Sequence, residues 1–320
     1  MCKKIQQRCF VSMLFGLAVT LLLAVGPAQA QTLIPVNPAN GCGQTLSAPG
    51  EYVLTGDLAC SGAVSGVVIT ASNVVFHLAG HTISNTTCNL NVGFAGVFVS
   101  GGVSGVRIDG GTVSGFNDGI DLSASSSRIT GMTLKNACFV GIAVTGRDNR
   151  LEKNVVTASG GDGVGLGSAS GTIVRSNDIS GNVRVGVDIS NFSDNNVVED
   201  NIINNNGIVA GQQGGVAIFN GKDNVIRNNA LSNNFDGILI ESPRNLVEGN
   251  VVSGSSQTGI AISSDGAPST VMKNTVLGSG LADMSDGSAG CGANTWKNNT
   301  FQTDLVPGGS DGGPNAGCIR

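Results

Sequence analysis

One unit of about twenty-two residues recurs along the chain. Gly96, Gly119, Gly141, Gly163, Gly186, Gly215, Gly237 and Gly259 each open a short Gly-apolar-x-apolar run, at steps of 23, 22, 22, 23, 29, 22 and 22 residues. An earlier copy starts at Gly66, and a degraded one stands at Ala282-Asp283-Met284. A unit this small cannot bury its own apolar side chains. Copies must therefore stack, each covering the next.

A second register runs in phase with the first. Asn154, Asn177, Asn201, Asn229, Asn250, Asn274 and Asn299 each precede an apolar residue by two; in earlier copies the slot holds His81, Gly111 and Met132. Asn tolerates the left-handed backbone that a tight turn requires. Stacked copies would also bond amide to amide along the axis. A structural role is assigned to this row. Composition agrees with strands: 40% of residues are hydrophobic, many of them Val and Ile, against 12% charged.

The G-I-x-I…N-x-I-x-x-N-x-I unit, from about Val67 to Phe301, resembles the right-handed parallel β-helix repeat of the pectate-lyase-like superfamily. The segment YVLTGDLAC…VVITASNVVFHLAGHTI, Tyr52 to Ile83, is similar to the opening of secreted bacterial β-helix proteins. The resemblance implies an all-β solenoid, a right-handed parallel β-helix with three strands per coil. About ten coils spaced by roughly 4.8 Å would make a rod about 45–50 Å long. The expected divisions are a signal peptide (1–30), an N-terminal cap (31–65), the β-helix (66–302) and a C-terminal cap segment (303–320), the caps covering otherwise unpaired edges.

The signal peptide is read from Lys3, Lys4 and Arg8, the apolar run Phe10 to Val25, and the small-x-small site Ala28-Gln29-Ala30. The run is short for a membrane span, no second one follows, and no Cys at the cleavage point marks a lipoprotein. Beyond residue 30, 14 basic residues face 22 acidic ones, a charge of −8 over 290 residues. That balance argues against nucleic acid and anionic membrane as partners. A secreted or periplasmic monomer is expected. Six cysteines remain, an even number that favours disulfides in an exported chain. Fifteen pairings are open. Nearest-neighbour pairing, Cys42–Cys60 and Cys291–Cys318, would pin the two ends, and Cys88–Cys138 would be left over.

Strand alternation sorts the Gly-led run into buried and outward residues. The outward row reads Phe98, Asp121, Ala143, Gly165, Asp188, Ala217, Leu239, Ala261; the row two further on includes Ser123, Thr145, Gly167, Ser190, Phe219 and Glu241. The wall is small and flat between Asp121 and Asp188, three coil steps or about 14 Å apart. Asp118, Asp162 and Asp236 recur just before the Gly. Arg184 belongs one coil from Asp162 and beside Asp188, and the connection 204–214 would wall that coil. Asp162, Arg184 and Asp188 are the candidate catalytic group, with Asp118 and Asp121 further along as substrate-binding residues. Active sites of the resembled superfamily lie on this face. Against this stands ordinary chemistry: Asp before Gly is common in turns, and Asp162–Arg184 reads equally as a surface ion pair.

Two chemistries fit such a group. A glycosidase needs two carboxyl groups, ~5–5.5 Å apart if retaining and ~6.5–9.5 Å if inverting. A polyuronate lyase needs the substrate carboxylate neutralised, often by Ca²⁺, and a base; Arg184 is placed for it, but a guanidinium stays protonated. The polygalacturonase sets Asn-Thr-Asp, Gly-His-Gly and Arg-Ile-Lys are missing, as is the mannuronan epimerase Asp-Pro-His-Asp. Elsewhere His77, His81, Arg128 and Arg150 read as edge and solvated residues, and Trp296 as a capping side chain. The expected function is action on, or binding of, an extended polysaccharide, lyase- or hydrolase-like. The alternative is a non-catalytic surface or structural β-helix such as an adhesin or envelope scaffold, in keeping with few aromatics on the face. A periplasmic factor resembling the copper-reductase maturation β-helix protein is disfavoured by five Met and two His.

Overall fold

The computed structural model describes residues 32–87, 93–208, 213–310 and 317–320; the expected signal peptide, Cys88 and part of the 204–214 connection lie outside the described residues. Residues 33–320 form one unit, a parallel β-helix in which each coil contributes one strand to each of three parallel sheets. Among the described residues the sheets hold twelve, ten and twelve strands. In a representative coil, Asp118–Leu122 lies in the Gly-led sheet, Arg128–Thr130 in the second and Thr133–Lys135 in the third. Ile120, Leu122, Ile129 and Leu134 point inward and are fully buried. Within the stretch assigned to an N-terminal cap, Ile34–Val36, Gln44–Leu46, Gly50–Leu54 and Leu58–Cys60 already pair into the sheets.

The recurring Gly has a steric cause. A Cβ built on Gly186 would stand 2.6 Å from the carbonyl oxygen of Gly215 and 2.7 Å from Ile203 Cγ2. The same contact, each repeat position against the carbonyl one coil further, runs from Gly66 through Gly259, which meets the carbonyl oxygen of Asp283. Asp283 takes the glycine's place in the last copy, where its carboxylate accepts the backbone N–H groups of Ser279 and Gln302. Gly186→Ala is therefore expected to lower stability by about 2–3 kcal/mol through overpacking, read as a lower urea midpoint at constant slope. An unchanged midpoint would show that the stack has room.

The Asn row is an amide ladder. Asn201 Nδ2 donates to Asn229 Oδ1 at 2.9 Å and to Val174 O at 2.9 Å, while its Oδ1 accepts from the backbone N–H and Nδ2 of Asn177. The left-handed residue is its neighbour, in correction of the sequence reading: Lys153, Ser176, Asp200, Asn228 and Lys273 have φ near +56°. The turn residue faces water, which frees the following Asn to point inward and bond. Each remaining corner repeats this arrangement, with Asn182–Asn206–Asn234 at one and Asn196–Asn224–Asn245 at the other.

Cys42–Cys60 and Cys291–Cys318 are disulfides near the two ends. Cys138 is disulfide-bonded as well. Disulfides are the chemistry of a chain that folds outside the reducing cytoplasm. Trp296 is buried near the C-terminal end, with its indole N–H donating to Asp286 at 2.7 Å. Among the described residues no helix is long and apolar enough to cross a membrane.

Candidate functional site

A groove of about 480 Å³ opens on the Gly-led sheet, lined among others by Phe139, Asp162, Gly165, Arg184, Asp188 and Phe219. Its floor is low because the coil beneath it lacks side chains where neighbours carry them. Gly165 pairs with Asp188 on one side and Ala143 on the other, and Gly167 pairs with Ser190. Gly161 fills the slot that holds Phe139 one coil before and Arg184 one coil after; backbone bonds tie Gly160 to Ala137 and Arg184 to Gly161. Gly165 and Gly167 are unlike the stacked ones: a Cβ on Gly165 would meet only Val140 Cγ1, and one on Gly167 only Asn191 Nδ2, each at an ordinary 3.6 Å, whereas one on Gly161 would stand 2.6 Å from the carbonyl oxygen of Phe139.

The sequence-derived residues divide into two groups. Asp162, Arg184 and Asp188 come together in the groove. Asp121 lies three coils from Asp188 through Ala143 and Gly165, about 14 Å on strand spacing, and neither it nor Asp118 lines the groove. Phe139 was missed. It shares the slot of Arg184, two residues before the repeat Gly, which is the signal that would have found it.

The aspartates before the Gly also serve the coil stack. Asp118 accepts the backbone N–H of Val140 (3.2 Å), Asp162 that of Val185 (3.0 Å) and Asp236 that of Thr258 (2.9 Å). Asp121 and Asp188 instead take hydroxyl bonds from the next outward residue, Ser123 at 3.0 Å and Ser190 at 2.7 Å.

Burial drives the electrostatics. Asp188 is pushed up to about 6, chiefly by desolvation and further by the negative charge of Asp162, against the Ser190 bond and Arg184. Asp162, 7% exposed, is also raised by burial, with the Val185 N–H and the Arg184 charge opposing. Asp118 is likewise raised to about 6, by burial and then by Asp121, against the Val140 N–H. On the second sheet His77 lies between Asp109 (2.6 Å) and Glu51 (2.7 Å). Burial disfavours its charge, but these two carboxylates outweigh it and raise its pKa. Arg128 and Arg150 are half-exposed and lie 3.2 and 3.7 Å from Glu152, pairs that contribute little. His81 stands 3.4 Å from Asp57 at its turn.

These shifts set a pH dependence. Each raised aspartate binds its proton more tightly folded than unfolded, so between 3.8 and about 6 stability falls as pH rises. His77 acts in the same sense: its contribution is complete below 6.5 and is lost as pH rises through its raised value. The melting temperature is expected to be roughly 5 °C higher at pH 5 than at pH 8. A higher melting temperature at pH 8 would contradict this.

Ca²⁺ binding takes six to eight oxygens. Among the described residues no group of three or more His, Cys, Asp or Glu is placed to hold a metal ion, and Asp162 and Asp188 already accept protein donors. The groove's donor set does not fit Ca²⁺.

The fold and groove define a parallel β-helix with a carboxylate-bearing sheet face. A family model described as a right-handed β-helix region matches residues 95–214, and one described as periplasmic copper-binding protein (NosD) matches residues 208–311. Over those residues the chain is similar to right-handed β-helix proteins, and it shares their fold. A double mutant of the periplasmic alginate epimerase AlgG superposes with a TM-score of 0.68 at 16% identity, over 83% of this chain and 74% of that one. An alginate lyase from Paenibacillus sp. gives 0.57 at 14%, over 82% and 99%. The Dettilon tailspike protein gives 0.57 at 16%, over 86% of this chain and 61% of the tailspike. At such identities the likeness is one of fold. No curated protein matches the sequence. Residues 208–311 contain no His; their soft side chains are Met272, half-buried, Met284, buried in the core, and Cys291, in a disulfide.

Proposed function

We propose that the groove binds an extended polysaccharide and hydrolyses its glycosidic bonds. The observation that carries this reading is a pair of carboxylates on adjacent coils, Asp162 buried and Asp188 half-buried, above a floor of glycine and within reach of Arg184. Asp188, with the higher proton affinity, gives its proton to the glycosidic oxygen as the C–O bond breaks. Asp162, whose carboxylate form the Val185 N–H and Arg184 favour against the effect of burial, takes a proton from the water that attacks the anomeric carbon. One coil and three residues along the chain separate them, an offset that favours the wider, inverting arrangement of ~6.5–9.5 Å. Asp118 and Asp121 are outlying contacts for a long substrate on the same face.

The test is a panel of neutral and acidic polysaccharides, with and without Ca²⁺, read by new reducing ends and by absorbance of unsaturated products. New reducing ends without unsaturation are expected; their absence on every substrate, with folded protein, would end this reading. Gly165→Leu sharpens it. The side chain would fill the groove with its Cβ in ordinary contact with Val140, so product formation is expected to fall at least about tenfold with the melting temperature retained. Activity unaffected by that plug would place the chemistry elsewhere.

A second reading has its own observation. Asp118, Asp162 and Asp236 all accept an N–H from the next coil, which favours a non-catalytic scaffold in which these aspartates only hold coils together. A stable Asp162→Asn variant, with no activity in either protein, would support it.

A further inference from the structure

We propose that a second groove, opening where the first ends, is a distal subsite for an uncharged sugar of the same chain, with Phe192 as its stacking platform. This rests on reading the first groove as a glycan site. The second groove has about 460 Å³ and is lined by Phe192, Asp194, Asn220, Lys222, Glu241 and Asp265, among others. The two are continuous along the chain: Asn191 and Phe219 line the first, and their successors Phe192 and Asn220 line the second.

Phe192 is 80% exposed, so its ring adds almost nothing to the core. Its backbone is nonetheless left-handed, with φ +62° directly after Asn191 at +52°. An aromatic residue rarely adopts that region, and such conformations gather where a side chain must be presented. The loop beneath is tied down. Ser193, fully buried, donates its hydroxyl to Leu166 O at 2.9 Å and Ser190 O at 2.6 Å. The ring is thus held out by a pinned turn, which limits the ordering cost on binding.

Charge selects the ligand class. Asp162, Asp188, Asp194, Glu241 and Asp265 line the two grooves against Arg184 and Lys222. That field repels a polyanion, while carboxylates accept hydroxyl hydrogen bonds and Phe192 takes the apolar face of a pyranose. An uncharged glycan fits both features.

The experiment compares soluble β-glucan, mannan and xylan, and their trisaccharides, with alginate and polygalacturonate. Binding is measured to the protein and to Phe192→Ala, and product is measured for Asp188→Asn. A neutral polymer is expected to bind in preference to the polyuronates. Phe192→Ala should lower polymer affinity relative to trisaccharide affinity about tenfold, with no fall in melting temperature. Preferential binding of polyuronates would overturn the ligand class. An unchanged polymer-to-trisaccharide ratio, with product still lost in Asp188→Asn, would remove the distal subsite and leave the first groove standing. A fall in the melting temperature of Phe192→Ala would make the residue structural. Binding of no glycan at all would remove both sites.

Discussion

Asp188→Asn is expected to lower the rate of polysaccharide hydrolysis by about 10²–10⁴-fold, the usual contribution of a positioned general acid. The amide keeps the shape and accepts the Ser190 hydroxyl, but it has no acidic proton to give. Folding should be undisturbed, because a partly buried carboxylic acid that is costly to ionise is replaced by a neutral group. The pH profile gives a sharper readout than the rate. With Asp188 as the acid, the alkaline limb of the profile should fall near pH 6. Arg184 holds that value down and Asp162 pushes it up. Arg184→Met should therefore move the limb to higher pH, and Asp162→Asn should move whatever activity remains to lower pH. A limb that stays in place in both variants would show that Asp188 is not the group titrating.

Asn201→Ala is expected to cost about 3–5 kcal/mol, a large share of the stability of a domain of ordinary size. The substitution removes four hydrogen bonds and leaves the backbone N–H of Asn177 and the carbonyl of Val174 buried without their partners. Each orphaned group costs about 1–3 kcal/mol, and the ladder's low-dielectric surroundings raise that penalty. Asn204→Ala is the control. That residue lies outside the interior ladder and accepts one hydroxyl bond, from Ser232 at 2.7 Å, so a loss of less than about 1 kcal/mol is expected. Urea midpoints measure both. Equal losses in the two variants would mean that the buried ladder does not dominate.

Much of the architecture was legible because a solenoid repeats its contacts. A residue that stacks on its own copy carries the same constraint at every step. The Gly column is visible as a period for this reason, and its alternate positions sort into inward and outward rows that match the strand register from Phe98 to Ala261. The two further Asn corners were legible in principle, in the five-residue spacing of Asn196, Asn201 and Asn206 and of Asn224, Asn229 and Asn234. The left-handed residue was misplaced by one, because composition at a turn does not reveal which of two adjacent residues points inward.

The groove is less periodic, and so less legible. Asp162, Arg184 and Asp188 were placed together from register alone, since the coil period fixes which residues are neighbours across strands. That a groove exists there depends on Gly161, Gly165 and Gly167 leaving a gap between Phe139 and Arg184. A missing side chain has no sequence signature apart from the glycine itself, and the chain has 49 of them. Stacked Gly186 and open Gly165 look alike in the sequence and face opposite environments in the fold.

The chain by itself thus determined the coil, its period and the side of each strand, because those follow from local alternation and from like stacking on like. Only the tertiary structure decided which carboxylates are desolvated, which glycines are crowded and where the surface dips. Those properties depend on distances across coils and on neighbours that no single repeat contains.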